Sequence, residues 1–363
     1  MKKIITALLL AGLLLGATSC VTRGPGESTD TTTNLKDILS QIEDKIKNPS
    51  STPVSEVIYK VNGDHVEVVG CNTAVGEVKI ESEYEGKKVT AIADEAFNGL
   101  MTITSIVIPE GITTIGAKAF MGCGRLESVA LPSTLTKLGR YAFYGCSALS
   151  TVEIPVSLTT IGSNAFGLCA ALKSFTVAEG SKSFSAVDGV LFSADKSTLE
   201  IYPTAREDKS YAIPDSVKTV ANFAFSGAVS LESVSMTGVT SLGDYTFRSC
   251  ARLKDVDLGT GLKFIGASTF QKCTALTEIV IPEGVESIGY VDDSNECGAT
   301  FSDCTALTTL TLPASLKHVY RLAFSGCTAL SRVNYGGTNA EWSSVTIGEG
   351  NEPLKTIGVI GKN

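Results

Sequence analysis

The chain has 363 residues and carries 30 Lys and Arg against 38 Asp and Glu, a formal charge of −8. With 43% hydrophobic and 19% charged residues it is composed like a folded protein rather than a disordered one. The acidic balance, without a basic run anywhere, disfavours nucleic acid as a partner, because phosphate binding needs clustered Lys and Arg.

The first residues read as a targeting segment. Lys2 and Lys3 form a basic start, and Ile4 to Leu15 is an apolar run too short to span a bilayer. Leu15-Gly16-Ala17-Thr18-Ser19-Cys20 then resembles a bacterial lipobox. This predicts a lipoprotein signal peptide over residues 1–19, with lipidation at Cys20 and anchoring to the outer membrane. An ordinary secretory signal is the alternative. Residues 20–54 are expected to be a tether. Val21 to Thr33 is too rich in Thr, Gly and Ser to pack a core. Leu35, Ile38, Leu39, Ile42 and Ile46 then follow at helical spacing, as in a short amphipathic helix that docks locally. Pairing with another chain is the other reading. No later segment is long and apolar enough to cross a membrane.

After an N-terminal cap over residues 55–96, a repeat takes over. Phenylalanines of an Ala/Thr-Phe pair recur at Phe97, Phe120, Phe143, Phe166, Phe225, Phe247, Phe270, Phe301 and Phe324, with gaps of 23, 23, 23, 59, 22, 23, 31 and 23. One copy runs Leu126, Val129, Leu131, Pro132, Leu135, Leu138, Gly139, Ala142, Phe143, Gly145 and Cys146. Val129 and Leu131 alternate as the inward side of a short strand, and Pro132 ends it for want of an N–H donor. Leu135 and Leu138 form a second buried pair, Gly139 is expected to permit a tight turn, and Phe143 plugs the core. One such coil cannot bury its apolar face alone, so the copies must stack as a repeat solenoid over residues 97–334, strand beside strand. Residues 335–363 form a C-terminal cap.

The frame of Ile-Pro, Ile-Gly, Ala-Phe and Gly-Cys at 23-residue spacing resembles the BspA-like bacterial leucine-rich-repeat family over about residues 55–350. Asp188-Gly189-Val190-Leu191-Phe192 and Leu199-Glu200-Ile201-Tyr202-Pro203 resemble its hairpin-bearing coil, within an irregular insert at about 178–213. Tyr335-Gly336-Gly337-Thr338 and Trp342 resemble its last coil. The resemblance implies a right-handed leucine-rich-repeat coil with a parallel β-sheet face. It also implies cell-surface adhesion and protein partners, including matrix proteins.

Seven cysteines share one repeat position: Cys123, Cys146, Cys169, Cys250, Cys273, Cys304 and Cys327. A metal array, a disulfide ladder and a stack of buried thiols compete. Leu100 and Ala228 at the same position favour buried thiols, since both keep the apolar character and lose the chemistry. Cys297 lies off this ladder and could pair with Cys304 in an oxidising compartment or stay buried, and Cys71 in the cap is equally undetermined. His65 and His318 are the only histidines, and neither belongs to a nucleophile motif, a zinc motif or a phosphate loop. A glycosidase would need two carboxylates across a cleft, and a continuous sheet predicts no cleft. No catalytic residue, metal or cofactor is expected.

Strand alternation sets one strip outward. It runs Ser105/Val107, Ser128/Ala130, Thr151/Glu153, Ser174/Thr176, Ser233/Ser235, Asp255/Asp257, Glu278/Val280, Thr309/Thr311 and Arg332/Asn334. Glu153, Asp255, Asp257, Glu278 and Arg332 are its charged candidates. The strip lacks aromatic residues, which disfavours a lectin and suits broad polar contacts with protein. A second candidate is the acidic insert at about 290–297, with Asp292, Asp293, Asn295 and Glu296. Its oxygen donors could hold Ca²⁺, but it lacks EF-hand spacing and reads more simply as a solvated loop. The leading function is a surface lipoprotein for adhesion or protein binding. The alternative is a periplasm-facing structural or assembly scaffold, because Val21-Thr22-Arg23-Gly24-Pro25 lacks the acids that often follow the lipidated cysteine of surface lipoproteins.

Overall fold

The computed structural model describes residues 56–72, 76–291 and 296–362. The signal peptide, Cys20, the tether and its helix lie outside the described residues, as do Asp292, Asp293 and Asn295.

The repeat folds as a parallel β-solenoid. Each coil contributes one strand to a main face, or main column, where the strands pair in register within four successive sheets. Ser105 faces Ser128, Val107 faces Ala130, Thr151 faces Ser174, Ser233 faces Asp255, and Glu278 faces Thr309, which faces Arg332. Gly76–Lys79 and Val359–Lys362 extend the column at its two ends. The main-column strand that leads to Pro214, Ser210–Ala212, pairs with Ser233–Ser235.

A second parallel ladder runs along another side. Its strands have only two residues, such as Thr114–Ile115, Lys137–Leu138 and Thr160–Ile161. The Leu135/Leu138 half of the frame is therefore itself a β-column. Where the chain returns, the Ala-Phe turns form a third coil-to-coil ladder. Phe97 N–H donates to the Ala119 carbonyl at 2.7 Å, Phe120 to Ala142 at 2.7 Å, and Phe143 to Ala165 at 2.8 Å. Three ladders satisfy the backbone on every side of the coil, as a structure with so buried an interior requires.

The phenylalanines stack inside. Phe97, Phe120, Phe143 and Phe166 follow one another with centroids 5.0, 4.9 and 5.5 Å apart. A second stack runs from Tyr202 through Phe225, Phe247, Phe270 and Phe301 to Phe324. Tyr202 lies 4.7 Å from Phe225, and its N–H donates to the Ala224 carbonyl at 2.8 Å, as a phenylalanine would. The long gap thus conceals one further coil, whose plug is a tyrosine. Its hydroxyl is carried to Asp208 at 3.1 Å, so the polar tip leaves the core.

The expected hairpin is a three-stranded meander. Phe184–Val187 pairs antiparallel with Val190–Ser193, which pairs with Thr198–Ile201, and the last joins the second ladder beside Thr219–Val220. Asp188 and Gly189, with φ of 49° and 78°, make the two-residue turn that this geometry favours. Asp195 closes the next turn by accepting from the Ser193 and Ser197 hydroxyls and the Ser197 N–H.

Gly139 does not work as expected. Its φ is not in the left-handed region; a Cβ there would run into the backbone of Gly116 and Ala117 on the preceding coil. Two other positions of each coil do adopt positive φ, as at Tyr141 (58°) and Gly145 (75°). Glycine at position 139 serves close coil stacking, while the turn is made around it.

Candidate functional site

The cysteine ladder is a column of buried, free thiols. Each donates to a carbonyl of the preceding coil, as Cys146 Sγ does to Phe120 O at 3.3 Å and Cys273 Sγ to Phe247 O at 3.2 Å. Burial pushes the Cys123 thiol up to about 11 and those of Cys169, Cys250 and Cys327 up to about 12. A thiol held protonated is neither a metal ligand nor a ready nucleophile. Cys304 is a free thiol whose Sγ donates to Phe270 O, so of the two readings for Cys297 the disulfide with Cys304 is not formed. Among the described residues no cluster of His, Cys, Asp and Glu could hold a metal.

The strip residues stand as the alternation requires. Glu153, Asp255, Asp257, Glu278 and Arg332 are all exposed. Asp257 accepts from the Ser235 hydroxyl at 3.1 Å and the Gly259 N–H at 3.0 Å. Among the described residues, Glu153, Asp255, Glu278 and Arg332 make no side-chain hydrogen bond or ion pair. Asp255 and Glu278 occupy the same position of successive coils, so they and Asp257 form an acidic step. Arg332 lies beyond Thr309, about 10 Å from Glu278 at two strand spacings, too far for a pair. Glu153 is isolated from this step. It faces Thr176, beyond which the meander interrupts the column. Two apolar side chains also stand out, Val280 at 60% and Val107 at 44% exposure.

The insertions do not join the strip to form one continuous surface. The meander rests on the second ladder. Only its tip reaches the main column, where the Gly189 carbonyl accepts from Phe175 N–H at 2.9 Å. The acidic insert is a small hairpin, Tyr290–Val291 against Glu296–Cys297, that grows directly from the second-ladder strand Ser287–Ile288. Tyr290 Oη holds it there by donating to Asp244 Oδ2 at 2.5 Å. His318 belongs to the same ladder, stacked beside Tyr320, and His65 sits in the first hairpin next to Asp64.

Two features escaped the sequence. The first is a group of aromatic side chains along the turns. Phe223 and Tyr245 stack at 4.6 Å, Tyr141 meets Tyr144 edge-on at 5.4 Å, and Tyr141 reaches Phe223 at 6.5 Å. Arg140 and Arg248 lie over the Tyr141 and Tyr245 rings. The strip lacks aromatic residues, but the turn side does not. The second is a cavity of about 240 Å³ where the phenylalanine stack breaks, between the coils of Phe166 and Tyr202. This cavity lies on the turn side, away from the strand face for which no cleft was expected. The meander-bearing coil is 36 residues long from Phe166 to Tyr202, and it does not close on its 23-residue neighbour.

A family model described as the BspA type leucine rich repeat region matches residues 76–195, 205–292 and 296–347, in six copies. The chain belongs to that family. The breaks in the match fall in the meander-bearing coil and at the acidic hairpin, where this BspA-type repeat protein departs from its own frame. Its fold is similar to a leucine rich cell surface protein from Faecalibacterium prausnitzii, with 24% identity, a TM-score of 0.51, and coverage of 82% of this chain and 98% of that one. A leucine-rich repeat protein from Eubacterium ventriosum gives 23%, 0.57, 82% and 92%. The pneumococcal vaccine antigen PcpA gives 23%, 0.56, 86% and 98%. At such identities the likeness concerns the fold. No curated protein sequence matches the chain.

Proposed function

We propose that this BspA-type protein is a lipid-anchored envelope protein whose repeat surface binds other proteins, without catalysing a reaction. The observation that carries the reading is the main strand column, an in-register strip of exposed side chains. Among the described residues most of its charged members have no partner, so binding a partner breaks none of the contacts described. Such a strip suits a broad contact of low affinity per site, strengthened when many copies share one membrane. Asp255, Asp257 and Glu278 would meet basic groups on the partner, and Arg332 an acidic one. The acidic insert, with Asp292, Asp293, Asn295 and Glu296, would offer a separate contact. The lipobox-like segment supports lipidation at Cys20, and the printed description of the Faecalibacterium neighbour as a cell surface protein is in keeping with an outward-facing position. Matrix and other cell-surface proteins are the proposed partner class.

The stretch Val21 to Pro25 favours a second reading, a scaffold facing the periplasm. Protease shaving of intact cells separates the two. On the surface reading, the solenoid is clipped while a periplasmic marker survives. Resistance until the outer membrane is broken would overturn adhesion and favour the scaffold.

A further inference from the structure

The cavity between the coils of Phe166 and Tyr202 has the makings of a site in its own right. Its walls are the turn backbone of Gly162 to Gly167, the meander's last strand, and Asn222, Phe223 and Ser226 of the following coil. On the turn side, Tyr141 leans across to Phe223 and bridges the gap.

One charged group lines it, Glu200, at the end of the strand Thr198–Ile201. Glu200 is half-buried, and among the described residues it makes no hydrogen bond or ion pair. No Lys, Arg or His lines the cavity. Partial desolvation without a counter-charge disfavours the carboxylate and pushes its pKa up. A carboxylate kept in such a place is stabilised by whatever cation enters. The Phe223 ring and the carbonyl-rich turns offer the rest of a cation's coordination. The volume admits one side chain but not a folded segment.

We propose that this cavity receives a single basic side chain of a partner polypeptide, with its guanidinium or ammonium head on the Glu200 carboxylate and its stem against Phe223. The site lies on the turn side, apart from the main strand strip, so it stands or falls independently of the strip's role in binding.

The test uses the purified protein and two small probes, N-acetyl-arginine amide and its neutral isostere N-acetyl-citrulline amide, titrated by NMR or calorimetry. Saturable binding of the arginine probe is expected, with the citrulline probe weaker by about tenfold or more, as a charge-assisted contact implies. Glu200→Gln should abolish that preference, while Glu153→Gln on the strip leaves it intact. Equal binding of the two probes overturns the proposal, as does no binding at millimolar concentration or a preference that survives Glu200→Gln. If Glu200→Gln does not fold, as judged by circular dichroism, the comparison of probes on the native protein decides the matter.

Discussion

Gly116 and Gly122 belong to one coil and should respond to alanine for different reasons and by different amounts. At Gly122, φ is +75°, and an added Cβ would meet nothing nearer than the Gly99 Cα at 3.6 Å, an ordinary contact. Gly122→Ala therefore bears only the backbone cost of a left-handed L-residue, about 1 kcal/mol. At Gly116, φ is unremarkable, but a Cβ would sit 2.5 Å from Asp94 N and 2.6 Å from Ala93 C. Both atoms are backbone and cannot swing aside. The coils would have to part by about 1 Å to restore van der Waals distance. That separation strains the Gly116 N–H to Ile92 carbonyl bond at 2.8 Å and the Ala117 N–H to Asp94 carboxylate bond at 2.6 Å. Two weakened hydrogen bonds plus overpacking amount to about 3 kcal/mol or more. Urea unfolding followed by circular dichroism reads the difference as a lower midpoint, and hydrogen exchange shows whether the loss is confined to neighbouring coils. Equal losses for the two variants, or a neutral Gly116→Ala, would refute the claim that coil contact rather than turn conformation fixes this glycine.

The last described coil depends on Asn351, a fully buried side chain that takes the place of backbone groups a regular coil would supply. Its Oδ1 accepts from Phe324 N–H at 3.0 Å, where a regular coil would offer an alanine carbonyl, and its Nδ2 donates to the Tyr320 and Gly348 carbonyls. Asn351→Ala leaves that buried N–H unpaired and should cost about 3 kcal/mol. The Phe324 amide should then exchange early, before amides in the middle of the array. The thiol column makes the fold sensitive to alkali. Folded-state thiol pKa values lie above the ordinary 9.0, so the unfolded chain releases these protons first. Their contribution to stability is whole below pH 9 and is lost as pH rises from there towards about 12, by about 1.4 kcal/mol per thiol per pH unit. A pH series of urea midpoints should fall steeply above pH 9, and less steeply in Cys146→Ala.

The solenoid was legible because its dominant residue recurs at a spacing no other fold requires. Nine phenylalanines fixed the coil length, and the prolines and alternation fixed the main strands. Tyr202 hides its coil because its hydroxyl breaks the run of phenylalanines, although it lies 23 residues before Phe225 and buries the same ring. The second ladder was invisible to alternation, since a two-residue strand has no period to detect. The thiol column was read correctly from its Leu and Ala replacements. The cavity could not be foreseen. It arises where coils of unequal length meet, and its rim joins Tyr141 to Phe223, which no local pattern links. The strip was foreseen residue by residue, yet its division by the meander was not, because the tip's position beside Ser174 depends on how the extra strands fold back.

The three ladders have a consequence for how such molecules change size. Every regular coil offers its neighbour the same columns of donors, acceptors and rings, so the lower face of one fits the upper face of any other. Excising residues 126–148 would bring Arg125 to Leu149 in the same frame and shorten the rod by one strand spacing, about 4.8 Å. Recombination between copies can therefore alter the molecule's reach in fixed steps without passing through an unfoldable intermediate. The meander-bearing coil and Asn351 occur once each and cannot be exchanged in this way. They mark fixed points against which copy number is free to vary.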